Sequence, residues 1–404
     1  MAGHAQTQSP YSMYGYGSLN DRATSMQRQM GGIGYAMNSG RQINVMNPAS
    51  YASCDSLTFL WDMGADLSFI RSKDHSNNIT EDRVGGGLDY LTMQFPLSRH
   101  FGGSIGLIPV TSVGYAFGNE IKFGTMENQG SGGLNELYLG LAGNYGGFGL
   151  GFNVSYVFGN IINDVYSTPT GSSQTLFEHV MQIRDWNINI GAQYTIRLGR
   201  ADRITLGVTY QPKKTFLGKT WVTNQNLGDN KAKPDTVSYM KVKDHYYQPN
   251  SYGAGISYSH TRQSHFMIEA DFTYQDWEKA TYSAMYSDQG KLVFDGMKFN
   301  NRYKGAIGAE YTPKLRGNYL QRITYRIGGY YSQDYLNLRG NKVKDYGVSC
   351  GFGFPTPEGR TLINLGFDWR HRASSPVNLI TENYFNITLG INFNEMWFWQ
   401  RKIK

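Results

Sequence analysis

The stretch LTFLWDMGADLSF, which runs from Leu57 to Phe69, carries the pattern that decides the fold. Its odd positions are all apolar, and its even positions are polar or small apart from Leu60. Because successive side chains of a strand point to opposite faces, this period of two predicts a β-strand between an apolar and a polar environment. A soluble sandwich gives the same alternation, but usually over about five or six residues. The greater length favours a tilted strand that crosses a bilayer, which takes roughly nine to eleven residues.

The composition is compatible with a membrane barrel. The chain has 404 residues and a mean hydropathy of −0.46. It has no apolar run of about eighteen or more residues, so the sequence offers no transmembrane helix. A barrel escapes hydropathy analysis because half of each strand is polar. The 49 glycines and 30 tyrosines suit short turns, a tight lumen and interfacial aromatic girdles.

The alternation returns along the whole chain and predicts about fourteen strands, with starts near residues 57, 84, 102, 133, 147, 178, 203, 236, 264, 298, 320, 343, 361 and 382. Short connections after every second strand are typical of periplasmic turns, and they fall at 98–102, 144–147, 198–203 and 355–360. Longer polar connections are typical of extracellular loops, and they fall at 72–83, 117–132, 161–177, 222–235 and 279–291. An open sheet edge is costly in lipid, so the first strand must pair with the last. We therefore predict an all-β fold, a transmembrane antiparallel β-barrel of about 14 strands.

The two faces of the strands are assigned by charge. Asp62 and Asp66 are expected to point into the lumen, since a charge on the lipid face is destabilising. The apolar positions are expected to touch lipid; the set is Phe59, Trp61, Leu67, Ile188, Ile190, Leu389 and Ile391. Near the end of the last strand we expect an interfacial aromatic cluster of Phe393, Trp397, Phe398 and Trp399.

Residues 1–53 lack strand alternation and mix Tyr, Met and Ile with Gly and Asn, with short helices expected around Leu19 to Met30. A lumen of this size needs filling, so we predict that residues 1–53 form a hatch, or plug, inside a barrel of residues 54–404. A separate periplasmic domain is the alternative, which the absence of a self-sufficient apolar core weakens. Residues 1–5 are expected to be a signal-peptide remnant or a tag, because Gly3 and Ala5 fit the positions before a cleavage site.

Several short motifs occur in order along the chain. Asn47, Pro48 and Ala49 precede the first strand, and the segments QPNSYGAGISYS (248–259), HFMIEADFTYQDWEK (265–279) and YRIGGYYSQ (325–333) follow. Together they resemble the FadL-like outer-membrane transporters of long-chain fatty acids and other hydrophobic compounds. The segments SPYSMYGYG and NPASYASCDSLTF are similar to the Bacteroidota branch of that family.

The resemblance implies uptake of a hydrophobic, fatty-acid-like small molecule across the bacterial outer membrane. It implies a ligand site on the hatch, for which the candidates are Met30, Ile33, Tyr35, Met46, Asn47, Pro48 and Ala49. It also implies lateral exit through a gap in the third strand, GGSIGLIPVTSVGYAF. There Pro109 removes one ladder hydrogen bond, and Gly106 and Gly114 loosen its flanks. An ordinary barrel bulge explains the same residues, and both interpretations stay open.

Another function is implied by the same resemblance. Some members of the Bacteroidota branch resemble subunits of the type IX protein secretion machinery, so the alternative is a scaffold that binds a protein partner without moving lipid.

Enzymatic function is not indicated. The eight histidines lie mainly in predicted loops and strand ends, and no HExxH or GxSxG motif is present. Two cysteines, Cys54 and Cys350, are too few for a disulfide framework or a zinc site, and their redox state is left open. No cofactor is expected. The net charge of +7 has no basic helix or zinc finger beside it, so nucleic acid is not an expected partner, and basic rims that meet lipopolysaccharide and other outer-membrane lipids explain it better.

Overall fold

A computed structural model describes residues 9–75, 78–121, 124–228, 235–242, 246–280, 282–288, 291–357 and 360–396. Within these residues, fourteen antiparallel strands form a closed barrel. The strands are β1 (Thr58–Asp74), β2 (Ile79–Pro96), β3 (Phe101–Ile121), β4 (Gly124–Tyr145), β5 (Phe148–Pro169), β6 (Thr175–Arg197), β7 (Asp202–Gln211 and Gly218–Asn226), β8 (Asp235–Val242 and Ser251–Thr261), β9 (His265–Gln275), β10 (Arg302–Thr312), β11 (Thr324–Leu338), β12 (Asn341–Pro355), β13 (Leu362–Ser375) and β14 (Ile380–Met396).

The barrel closes between its first and last strands. β1 pairs with β14 along its whole length, from Thr58↔Met396 to Asp74↔Ile380. Both segments of β7 pair with β6, and the two segments of β8 pair with those of β7. The predicted closed barrel of fourteen strands is therefore confirmed.

The strands present one face to the lumen and the other to the surroundings. The outward positions Trp61, Leu67, Ile188, Ile190 and Leu389 are exposed, and Phe59 and Ile391 are half-buried on the same face. Asp62 is buried on the lumen side, where the Tyr90 hydroxyl donates a hydrogen bond to it at 2.9 Å. The predicted alternation of faces is therefore confirmed at these positions.

The two ends of the barrel differ. At one end, the short-turn rim, the strands are joined by the turns 97–100, 146–147, 198–201, 262–264, 313–323 and 356–361. At the opposite end, the long-strand rim, the strands run on, so that β4 and β5 each have 22 residues and β6 has 23. The expected long loops 117–132 and 161–177 are wrong in this respect, because most of these residues are strand. Beyond the lipid both faces of a strand can be polar, and the alternation that marks a membrane strand disappears.

Helices are short. The hatch contains the 3₁₀ helices Pro10–Met13 and Pro48–Ser53 and a single α-helical turn, α1 (Ser25–Arg28), which lies within residues 19–30, where short helices were expected. A second turn, α2 (Tyr319–Arg322), lies in the short-turn rim. No helix among the described residues is long and apolar enough to cross a membrane.

The remaining strands are short. The two-residue strands Ser18–Leu19, Lys214–Thr215 and Tyr247–Gln248 lie in the hatch and in the interruptions of β7 and β8, and Tyr282–Asp288 pairs with Lys291–Met297. Cys54 and Cys350 are both free. Residues 1–5 and Trp397, Phe398 and Trp399 lie outside the described residues, whereas Phe393 packs on Trp61 with ring centroids 6.1 Å apart.

Candidate functional site in the lumen and wall

The hatch lies against inward-facing glycines of the barrel wall. A Cβ atom at Gly308 or Gly328 would clash with the backbone of Met30, and one at Gly207 would clash with the backbone of Tyr35. Similar contacts occur on other strands: Gly102 and Gly140 with Tyr51, Gly151 with Pro48, Gly191 with Asn47, Gly351 and Gly366 with Gln29, and Gly390 with Ser25. The absence of side chains at these glycines therefore lets the hatch pack directly against the strand backbones.

Two carboxylates of β9 hold one hatch loop by its main chain. Asp271 accepts hydrogen bonds from the backbone N–H groups of Gly34 (2.7 Å) and Tyr35 (3.0 Å), and Glu269 accepts one from Ala36 (2.8 Å). Three main-chain hydrogen bonds to buried side chains therefore attach this loop to the wall.

Charged side chains attach a second part of the hatch. Asp21 forms ion pairs with Lys304 at 2.6 Å and Arg302 at 3.0 Å, while Arg28 pairs with Asp89 of β2 at 2.9 Å. Burial raises the pKa of Asp21, but the cationic groups of Lys304 and Arg302 outweigh this effect and hold the pKa well below its usual range. Asp21 therefore stays ionised and fixes the hatch to β10.

The predicted hatch residues fall into two groups. Met30 and Ile33 pack in a buried apolar cluster, and Met46 is also buried. The Tyr35 hydroxyl lies 2.9 Å from the Thr273 hydroxyl, and Tyr35 and Met46 line a cavity of about 100 Å³.

Asn47, Pro48 and Ala49 form a structural corner. Asn47 caps the 3₁₀ helix Pro48–Ser53 by accepting the Ala49 N–H at 3.1 Å. Its amide nitrogen donates to the Tyr35 carbonyl at 2.7 Å and to the Ala192 carbonyl of β6 at 3.2 Å. None of these three residues lines the cavity that Tyr35 and Met46 border.

A larger cavity of about 690 Å³, the lumen cavity, lies between the hatch and the wall. Much of its lining is charged or polar, with Arg370 and Asp345 3.6 Å apart and Arg372 paired with Asp334. Further acidic and basic groups in the lining are Asp21, Arg28, Asp66, Asp89, Arg302, Lys304 and Asp368. The surface of this cavity suits water and polar groups.

The lumen cavity reaches an interruption in the wall. β2 and β3 pair only from Leu91↔Leu107 to Pro96↔Gly102, whereas β3 and β4 pair along their whole lengths. From this point toward the long-strand rim, β3 is not paired with β2, and its residues Thr111 and Ser112 pair instead with the hatch strand Ser18–Leu19. The cavity lining includes Gly86, Gly87, Leu88 and Asp89 of β2 together with Pro109, Thr111 and Ser112 of β3.

The residues predicted for the wall gap are placed differently from one another. Pro109 lies two residues beyond Leu107, where the β2–β3 ladder ends. The pairing of β3 with β4 shifts register between Pro109 and Thr111. Gly106 lies within the paired part, opposite Thr92 and Tyr138. The Gly114 carbonyl accepts the Ser9 N–H at 2.7 Å. Only Pro109 of these three therefore borders the lumen cavity.

An aromatic cluster, the aromatic cap, closes the lumen toward the long-strand rim. Tyr16 of the hatch lies with its ring centroid 4.4 Å from that of Tyr246 and 5.7 Å from that of Phe299. Trp277 and Tyr335 join the cluster, and all five side chains are at most 3% exposed. Tyr246 lies between the two segments of β8, and its side chain is buried in the cluster.

Sequence reasoning missed the charged lining and the aromatic cap. The inward direction of Arg370 and Arg372 can be read from their alternation with Trp369 and His371 on β13. The cap has no such signal, since its members come from the hatch, from distant connecting segments and, in the case of Tyr335, from β11.

The whole chain, residues 1–404, matches the family model described as BamG. No curated protein sequence matches it.

Solved structures with the same fold include hydrocarbon transporters and a FadL homologue. The toluene transporter TodX of Pseudomonas putida is 15% identical, with a TM-score of 0.64 over 94% of this chain and 100% of that one. The toluene transporter TbuX of Ralstonia pickettii is 14% identical, with a TM-score of 0.62 over 93% and 99%. A FadL homologue of Pseudomonas aeruginosa is 11% identical, with a TM-score of 0.62 over 93% and 99%. At these identities the likeness shows the fold alone.

Proposed function

The chain belongs to the BamG family, and from the geometry of the lumen we propose that it is a bacterial outer-membrane channel for hydrophobic small molecules. The ligand enters the barrel, contacts the hatch and leaves sideways into the bilayer between β2 and β3. The similar structures include toluene transporters and a monoaromatic hydrocarbon channel, and this likeness supports the broad class of hydrophobic ligands. The Bacteroidota origin rests on the sequence resemblance and stays a prediction.

The observation that carries the proposal is the short ladder between β2 and β3. In lipid an unpaired strand edge is costly, so an interruption needs a compensating partner. Here the partner is the hatch strand Ser18–Leu19, which pairs with Thr111 and Ser112 of β3. Movement of the hatch would uncover an opening that already borders the lumen cavity, with Leu88 and Pro109 at its edges.

The polar lining suits hydrophobic molecules that carry a polar head, which distinguishes the proposed ligand from the hydrocarbons of the similar transporters. Arg370 lies over the Tyr384 ring at 4.0 Å, and its Nε atom is 3.6 Å from Asp345, beyond hydrogen-bond range. A fatty-acid-like carboxylate would pair with Arg370 while its apolar tail passes between Leu88 and Pro109. A ligand without any polar group would take water away from this charged surface and offer no hydrogen bond in its place.

Replacement of Pro109 by valine tests the route. Valine restores a backbone donor and a strand-forming side chain, so the opening should narrow and uptake of a fluorescent fatty acid into liposomes should fall several-fold. The matched control is Pro96→Val, since Pro96 lies at the other end of the same ladder, opposite Gly102. Heat-modifiability on gels checks that both variants form the barrel.

Unchanged uptake by a folded Pro109→Val protein would remove the lateral route. If Pro96→Val lowers uptake equally, the effect comes from the strand as a whole and not from the opening.

A second function, a scaffold subunit of a protein secretion machinery of the type IX kind, is favoured by the closed lumen. The aromatic cap around Tyr16 and Trp277 covers the lumen toward the long-strand rim, and the hatch fills much of the rest. A scaffold needs a rigid barrel and no passage. Absence of any uptake by the wild-type protein in liposomes would favour this alternative.

A further inference from the structure

The short-turn rim carries basic side chains without acidic partners. Among the described residues of its turns and strand ends, the exposed cationic side chains for which no ion pair with a described residue is found are Arg99, Arg197, Arg200, Arg203, Arg262, Lys314, Arg316 and Arg360. The acidic residues described there are Asp55, Asp202 and Glu395. Asp55 pairs with Arg41 of the hatch, and Asp202 is within 2.8 Å of His260. The described part of this rim is therefore strongly positive.

Two of these arginines directly face each other. Arg197 of β6 is the cross-strand partner of Arg203 of β7. Like charges in this position are destabilising, and neither arginine is relieved by an ion pair with a described residue. An acidic group from outside the chain would remove this repulsion.

The arginine pair does not point at lipid. Ile196 and Ile204, their neighbours on β6 and β7, lie on the outward face of the barrel. Because side chains alternate along a strand, Arg197 and Arg203 are on the lumen side of the wall, at the mouth of the barrel. Lipid headgroups surround the outside of the barrel, so a water-soluble polypeptide is the better partner for these two groups.

An apolar feature lies in the same rim. Leu315, Tyr319 and Leu320 of the turn 313–323 are 43%, 46% and 72% exposed. The turn is held in place, because the Leu315 N–H donates to the Gln263 carbonyl and the Lys314 N–H donates to the Gln321 carbonyl, both at 2.8 Å. Rigid, exposed aromatic and apolar groups beside charged ones are typical of protein interfaces.

We propose that the short-turn rim docks an acidic surface of a soluble periplasmic protein, which contacts Arg197, Arg200 and Arg203 and packs on Tyr319 and Leu320. The orientation follows from the rule that short turns of outer-membrane barrels face the periplasm. The inference rests on that part of the proposed function and does not depend on transport. It also places the positive charge of the short-turn rim at the periplasmic side, where lipopolysaccharide is not the partner.

The first test uses polyglutamate as an acidic polypeptide probe. It is titrated onto the full-length protein in phosphatidylcholine nanodiscs, with the triple variant Arg197→Glu, Arg200→Glu, Arg203→Glu. The matched control reverses three exposed lysines near the opposite rim, Lys219→Glu, Lys342→Glu and Lys344→Glu. We expect the rim variant to bind about tenfold more weakly, and the control to change the affinity less than about twofold. Equal weakening in both variants would overturn the proposal.

Salt dependence of the wild-type protein gives a measurement that needs no variant. Binding should weaken at least about tenfold between about 50 mM and 500 mM salt, because exposed charges are screened. Binding that does not depend on salt would contradict the electrostatic mechanism.

Photo-crosslinking in cells then distinguishes protein from lipid. A photoreactive residue replaces Leu320, and the control position is Gly340 in a turn of the long-strand rim. An acidic protein that is captured only at Leu320, and whose purified form binds the wild type but not the triple rim variant, supports the proposal. Capture of phospholipid alone at Leu320 overturns it. Neither result depends on uptake, so failure of this inference leaves the channel function standing.

Discussion

Glycines of the wall and the hatch backbone define the lumen at the scale of single residues. Gly308 on β10 faces inward, and its Cα approaches Met30 so closely that no side chain fits between them. Three residues earlier on the same strand, Gly305 faces outward, and no atom lies within 4 Å of the position that a Cβ would occupy there. Neither glycine has a positive φ, so steric contact alone distinguishes the two positions.

We therefore expect Gly308→Ala to lower the free energy of unfolding by about 1–3 kcal/mol, the usual cost of overpacking a well-packed interior. The matched variant Gly305→Ala should change it by less than about 0.5 kcal/mol, as for other surface substitutions. Urea titrations of the protein refolded in liposomes measure both. If the two substitutions have the same effect, the hatch does not lie against β10 as described.

At the scale of the strand, the lipid-facing side of β6 shows how depth is marked. Trp186 and Tyr194 are exposed on its outward face, and Ile190 lies four residues from each. Aromatic girdles occur at the two membrane interfaces, so Ile190 is close to the midplane. Ile196 lies beyond Tyr194 and is close to the short-turn rim.

Replacement of Ile190 by arginine should cost about 2–4 kcal/mol of folding free energy, whereas Ile196→Arg should cost about 0–1 kcal/mol, because the penalty falls toward the interface. Folding titrations in liposomes give both values. A neutral Ile190→Arg variant would contradict the strand register, and equal costs at both positions would contradict the assigned depth.

The strands were predictable where one face meets lipid and the other water. β1 was expected near residue 57 and begins at Thr58, and β7 was expected near 203 and begins at Asp202. β4 was expected near 133 but begins at Gly124, because GTMENQGSGG extends above the lipid and has no apolar alternation.

The candidate site was predictable only in part. Pro109 was identified from its missing donor, and it does border the lumen cavity. The role of Gly114 was not predictable, because its hydrogen bond with Ser9 joins residues far apart in the chain. The same is true of Tyr16, whose aromatic neighbours include Tyr246 in the interruption of β8 and Phe299 just before β10. Such long-range contacts leave no local pattern in the sequence.

At the scale of the whole molecule, residues 9–20 of the hatch contact two openings of the barrel, one at the end of the lumen and one in the wall. Tyr16 completes the aromatic cap with Tyr246, and Ser18–Leu19 pairs with the part of β3 that β2 leaves free. Barrel closure itself depends on the pairing of β1 with β14 and involves neither contact. The same short segment therefore shuts both the long-strand end of the lumen and the wall interruption, and the barrel should form without it.

Deletion of residues 9–20 should therefore turn a closed barrel into a conducting one. The lumen cavity is lined by charged groups such as Arg370 and Asp66, so it will hold water and ions once the cap is opened. Planar-bilayer recordings should show steady conductance steps that the wild type lacks, while heat-modifiability stays normal. The matched control, Tyr16→Phe, keeps the ring in the cap and should remain closed. A folded deletion variant without conductance would mean that other residues seal the lumen, and a conducting Tyr16→Phe variant would mean that the seal depends on the hydroxyl group, which lies 3.4 Å from the Tyr247 nitrogen, and not on ring packing.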